Sequence, residues 1–240
     1  MKLILPILAL IATLAFVLSP LVTDPFSGFD ADRFPVAQVD PPVQPAGYAF
    51  GIWSVIYIWL VVSAVFALFA RRGASDWGRM QGPLVLSLGP GAAWLWVAGE
   101  SPEWAAALII WMLGTALWAL WAAPVRDRWL AQAPVAIYAG WLTAAAHVSL
   151  GILLGGYGLT SPEIAAAIVL SMAVLLGLGI ILMRPHAPEY GLTLIWALVG
   201  VLVANLGGSG LVQGVTLAAL VAVLSAVIHL ASTGQARAPL

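Results

Sequence analysis

His147, His186 and His229 are the side chains of this 240-residue chain best suited to ligating a metal or moving a proton near neutral pH. His147 lies deepest within an apolar run, His229 sits near the end of another, and His186 falls between runs. Two lone histidines have the chemistry of axial haem ligands, and one alone that of a proton path. The simpler role, a neutral imidazole hydrogen-bonded between helices, is favoured for both His147 and His229. No carboxylate falls in the middle of an apolar run, so no acid–base pair is available there. The absence of cysteine excludes disulfides, zinc-thiolate sites, iron–sulfur clusters and thiol nucleophiles. No metalloprotease, hydrolase-elbow or phosphate-cradling motif appears in a usable context. Enzymatic catalysis is not expected.

Tryptophan is the unusual residue, with 12 in the chain. Trp77, Trp121 and Trp129 fall at one end of apolar runs, and Trp94, Trp96 and Trp104 at the other, as an interfacial belt requires. Trp53, Trp59, Trp111, Trp118, Trp141 and Trp196 lie deeper. Trp104, Trp111 and Trp118 recur every seven residues and share one helix face. Phe50, Trp53 and Tyr57 are spaced to share another. Such faces wall a flat aromatic ligand by stacking, or else pack against helices or lipid.

The elements that hold these residues follow from composition. Of all residues 62% are apolar and 8% charged, with a mean hydropathy of +1.03. A soluble domain carries about 25% charged residues. The chain is therefore read as an integral membrane protein, and the net charge of −1 offers no footprint for nucleic acid. A crossing helix needs about 20 apolar residues. That length fits eight runs, at 3–22, 47–70, 83–99, 104–123, 133–155, 163–183, 190–206 and 211–231. The third and seventh are short, and Pro90 is expected to kink the third. The expected fold is an all-α polytopic bundle of about eight spans with both termini cytoplasmic. The first run could be read as a signal peptide, but it extends to Val22 with no A-x-A site after it, so it is taken as a retained span.

Charge tests this count independently. With the N-terminus inside, Lys2, Arg71, Arg72, Arg79, Arg126, Arg128, Arg184 and Arg237 are cytoplasmic and only Arg33 is external. Asp24, Asp30, Asp32, Asp40, Glu100, Glu103 and Glu163 fall outside, against Asp76, Asp127 and Glu189 inside. Residues 23–46, rich in Pro, Asp and Phe, form the one long loop, on the outer side.

That loop and the run after it carry a family pattern. The stretch Pro41-Pro42, Pro45-Ala46-Gly47-Tyr48-Ala49-Phe50-Gly51-Ile52-Trp53 and Ile56-Tyr57 resembles the tryptophan-rich sensory protein/translocator protein (TspO/MBR) family. Pro134 with Tyr138-Ala139-Gly140-Trp141-Leu142-Thr143 is similar to that family's fifth helix, and Trp94 matches a third-helix tryptophan. The resemblance covers about residues 1–155, a five-helix unit, and makes 156–240 a three-helix C-terminal extension. It implies a pocket, opening to the outer side, for a porphyrin-like tetrapyrrole or a sterol-like ligand. The implied lining is Phe50, Trp53, Tyr57, Trp94, Tyr138 and Trp141. Two positions depart from the pattern: Gly91 and Ser149 stand where the family usually has asparagine. His147, two residues before Ser149, is the candidate replacement polar group.

Three roles fit these residues. The first is a TspO-like sensor or transporter binding a tetrapyrrole or similar flat hydrophobic ligand in a bacterial inner membrane. The second is a structural or assembly subunit of a larger membrane complex, with partner helices or pigments on the Trp-rich faces. The third is a small-solute secondary transporter, suggested only by Pro90, Asn205 and His147. Lipid is a partner in each, and Gly47-x-x-x-Gly51 and Gly200-x-x-x-Ala204 permit the close helix contacts of a homodimer. The topology makes a direct prediction. Reporter fusions at Ser75, Asp127 and the C-terminus should read cytoplasmic, and those at Asp32, Ser101 and Ser161 external; an external C-terminus would refute eight spans.

Overall fold

The computed structural model describes residues 3–23, 26 and 28–233. Lys2, Asp24 and Arg237, three members of the charge pattern, lie outside the described residues. The helices are α1 (Ile4–Leu18), α2 (Ile52–Ala70), α3 (Ser75–Gly91), α4 (Trp94–Glu100), α5 (Pro102–Ala122), α6 (Gln132–Gly156), α7 (Pro162–Met183), α8 (Pro188–Ala204) and α9 (Gly210–Ser232). No strand occurs among the described residues. Since α3 and α4 form one interrupted rod, Ser75–Glu100, eight rods result. Seven are long and apolar enough to cross a membrane; α8, with 17 residues, is shorter. At 1.5 Å per residue α8 is about 25 Å long. The chain is an all-α polytopic membrane bundle.

The sequence explains where several helices begin. Ser101 and Ser161 are N-caps whose hydroxyls accept from the amides of Trp104 and Ile164, each at 3.3 Å. Pro102 and Pro162 follow at the position where a missing N–H costs nothing, and Glu103 and Glu163 complement the helix dipole. The third rod starts eight residues before the expected Pro83, at Ser75. Asp76, Arg79 and Gln81 make this stretch resemble a loop, yet Trp77, Met80 and Gln81 are buried helical positions. Trp77, expected at the membrane boundary, is only 1% exposed.

Pro90 acts where it was expected to. It has no N–H to give the carbonyl of Leu86 one turn back. The indole N–H of Trp111 donates to that carbonyl instead, at 3.0 Å. The helix ends at Gly91 and restarts at Trp94.

The described residues form two compact units. One holds those up to 26 and 52–142; the other holds 28–51 and 143–233. Helix α6 contributes to the first as far as Leu142 and to the second from Thr143. In the first, α3 packs chiefly on α5 and α1, and α1 also on α2. In the second, α9 packs on α7 and α8.

The second unit also contains the long loop, which is a fitted strap. Phe34 and Val43 are buried. A Cβ at Gly156 would stand 2.6 Å from the Phe34 ring, and one at Gly200 would stand 2.9 Å from Pro45 and from Ala49. Backbone bonds run from Val36 N–H to the Gly156 carbonyl (2.9 Å) and from Ala46 N–H to that of Gly200 (3.0 Å). Asn205 donates its side-chain amide to the Pro42 carbonyl at 2.8 Å, and Trp196 its indole N–H to that of Ala49 at 2.9 Å. Gly200 thus admits the strap, and Gly47 and Gly51 lie in a 3-10 turn, Gly47–Gly51, with open space where a Cβ would be.

In the first unit, the loop between α5 and α6 is tied to the end of α2. Asp127 takes both prongs of the Arg71 guanidinium, at 2.5 and 2.6 Å, and the indole N–H of Trp77 at 3.2 Å. Phe66 lies beside both, its ring 5.2 Å from the guanidinium and 5.6 Å from the Trp77 ring, with the two ring planes 46° apart. The Arg71 hydrogen bond, ahead of the opposing cost of burial, holds the Asp127 carboxyl below its ordinary value. A lowered native pKa stabilises the fold above the unfolded-state value, and that contribution disappears as pH falls through the native one. Asp127→Asn should therefore lower the melting temperature in detergent at pH 7. The gap to wild type should hold down to about pH 4 and shrink below it. A gap that widens in acid would refute the pairing.

Candidate functional site

The structure gathers aromatic rings of the first unit around a residue the sequence did not single out. Phe16, in α1, meets Trp53 at 5.8 Å, Tyr57 at 5.6 Å and Tyr138 at 5.7 Å, edge to face each time. Trp53 and Tyr57, one turn apart on α2, are stacked at 5.3 Å with their planes 24° apart. Trp141 closes edge-on against Trp53 at 6.2 Å. Trp53, Tyr57, Tyr138 and Trp141, four of the residues the family resemblance put in the lining, thus come together. The one signal for Phe16 was its being the lone aromatic residue in an otherwise aliphatic run.

The polar atoms of this cluster divide into committed and uncommitted. Ser87 gives its proton to the Met112 carbonyl at 2.8 Å, so at 2.9 Å from Tyr138 it must accept the phenol proton. Tyr138, buried, has no proton left to offer. Tyr57 and Trp53 are only partly buried, and neither the phenol nor the indole N–H has a hydrogen-bond partner among the described residues. Those two donors sit on the stacked pair.

The other expected lining residues lie elsewhere. Phe50 belongs to the 3-10 turn preceding α2, in the second unit. Trp94 donates its indole N–H to the Ala105 carbonyl at 2.9 Å and meets Phe26 at 5.1 Å. His147 and Ser149 are buried residues of the second unit. A carbonyl can only accept, so the 2.7 Å contact from His147 Nδ1 to the Thr143 oxygen puts the proton on Nδ1. Nε2 is left as an acceptor. The imidazole borders a cavity of about 20 Å³, walled by Val43, Pro45, Leu170, Leu194 and Leu198. That is room for about one water.

Gly91 explains why the family's asparagine is missing. A Cβ there would lie 2.8 Å from Met112 Cε and 3.2 Å from the Phe16 ring. Phe16 and Met112 occupy the volume a longer side chain would need.

The class is now defined: a many-span helical membrane protein with an aromatic cluster built from its first, second and sixth helices. The family model described as "TSPO-like protein" matches residues 4–232, and the chain belongs to that family. The match includes the C-terminal helices as well as the five-helix portion. No curated protein and no solved structure matches the chain significantly.

The Gly91 packing is testable by a double-mutant cycle. Gly91→Asn should destabilise by about 1–3 kcal/mol through overpacking. In a Phe16→Ala background, where the ring's space is vacated, the same change should cost clearly less. Purely additive unfolding energies would show that Phe16 does not fill that position.

Proposed function

We propose that this TSPO-like protein binds a flat hydrophobic ligand, a tetrapyrrole or one of similar shape, on the Trp53–Tyr57 face. It would act as a sensor or transporter, without catalysing a reaction, in the inner membrane of a bacterium. The observation that carries this reading is the stacked pair with its two uncommitted donors. A planar ring system gains from stacking on such a face, and its acceptor groups, such as porphyrin carboxylates, would take the Trp53 indole and Tyr57 phenol hydrogens. Trp141 edges the face, and Tyr138 supports it through Phe16. Phe50, Trp94, His147 and Ser149 fall outside this version of the site.

Quenching of tryptophan fluorescence by protoporphyrin IX, titrated into detergent-solubilised protein, tests it. Trp53→Leu removes an aromatic contact of about 0.5–1.5 kcal/mol and should weaken binding roughly two- to tenfold. Tyr57→Phe removes one hydrogen bond and should cost a similar factor. Trp118→Leu, on the exposed face of α5, is the control and should leave affinity unchanged. Equal affinities in all four proteins would refute the site.

A further inference from the structure

The exposed tryptophans of α4 and α5 lie outside that cluster. Between the two helices runs an open groove of about 560 Å³, bordered by Trp96, Glu100, Ser101, Trp104, Leu108 and Trp111. Trp96, Trp104 and Trp111 are 64%, 73% and 53% exposed, more than lone surface residues account for. The groove is firmly built. One end of it is the capped turn in which Ser101 receives the Trp104 amide, and Pro102 then starts α5. Trp111 is tethered through its N–H to the carbonyl that Pro90 leaves free.

Its chemistry is graded along its length. Glu100 lies at the mouth, and the Ser101 hydroxyl draws the Glu103 carboxylate over the same turn at 2.5 Å. Below come Trp104, then Leu108 and Trp111, the last about 10.5 Å deeper along α5. Residues 94–122 contain no Lys or Arg. A headgroup of net negative charge entering the groove would meet carboxylates and no counter-charge, whereas in a zwitterionic one the phosphate is offset by the headgroup's own ammonium. An ammonium would meet a carboxylate and the electron-rich faces of indoles, which attract cations. The apolar floor suits a hydrocarbon chain.

We propose that the α4–α5 groove holds a phospholipid with an ammonium-terminated headgroup. The ammonium lies between Glu100 and the Trp96 and Trp104 rings, and an acyl chain runs along Leu108 and Trp111. The site is independent of the Trp53–Tyr57 face, and a protein that failed to bind porphyrin would still carry it.

Native mass spectrometry of the detergent-solubilised full chain tests this with an equimolar mixture of ethanolamine- and glycerol-headgroup phospholipids carrying the same acyl chains. Wild type should retain the ethanolamine lipid preferentially. Glu100→Gln, an exposed change, should reduce that preference about two- to fivefold, the range of an exposed charge pair. Trp104→Leu should lower retention of the ethanolamine lipid, and Trp118→Leu should not. Equal retention of both lipids by wild type, or an undiminished preference in Glu100→Gln, would overturn the proposal. So would a dimer that Trp104→Leu converts to monomer without altering lipid retention, because the groove's occupant would then be a second copy of this chain.

Discussion

A main-chain carbonyl in hydrocarbon with no amide to bind costs several kcal/mol, and a proline inside a spanning helix creates one. Pro90 does this to Leu86, and Trp111 answers from the next helix. Much around this bond follows from it. It links α3 to α5, the helix pair on which the first unit is built. It accompanies the break after Gly91, beyond which α4 begins. It also fixes a large ring on an otherwise exposed helix face. Elsewhere, Trp59, Trp94 and Trp196 donate their indole N–H groups to the carbonyls of Trp129, Ala105 and Ala49. Tryptophan here serves as a long-reach backbone donor, a role distinct from both interfacial belt and ligand wall.

The same constraint governs the strap. Irregular backbone at membrane depth is tolerated only where protein satisfies it. The segment before α2 meets that requirement with bonds to Gly156, Gly200 and Asn205, and with indole cover from Trp196. Close approach is necessary for those bonds, and glycine at 156 and 200 is what permits it. Proline in the strap lowers the number of amides that need partners. The composition of residues 23–46 thus suits a strap packed against the helices of its own unit better than a free acidic loop.

Hydropathy made the helices legible, because a span is the one element in which every residue reports the same environment. Pro-Glu after serine marked helix starts for equally local reasons. Two things were illegible. The first two turns of α3 carry Asp76, Arg79 and Gln81, so composition hides a helix whose buried face is Trp77 and Met80. Phe16 gave no motif at all, since its role depends on Gly91 and Met112, far away in sequence. Within the aromatic cluster, the pairwise spacing of Trp53 with Tyr57 and of Tyr138 with Trp141 was readable. The ring that joins them was not.

Phe16 has a further chemical consequence. Where the family resemblance places an asparagine, this chain has Gly91, and a large apolar ring takes up the room. An amide there would offer both donors and an acceptor. Its replacement by Phe16 removes that capacity from the α3 side, and the proton chain Tyr138–Ser87–Met112 spends two more hydroxyls on internal bonds. In the binding mode proposed above, polar selectivity on this face would come from α2, through the Trp53 N–H and the Tyr57 O–H. Both are donors held in fixed positions by their mutual stack and by Phe16. In that proposed mode, a face with two donors and no amide would suit molecules that present acceptors at the edge of a flat apolar body.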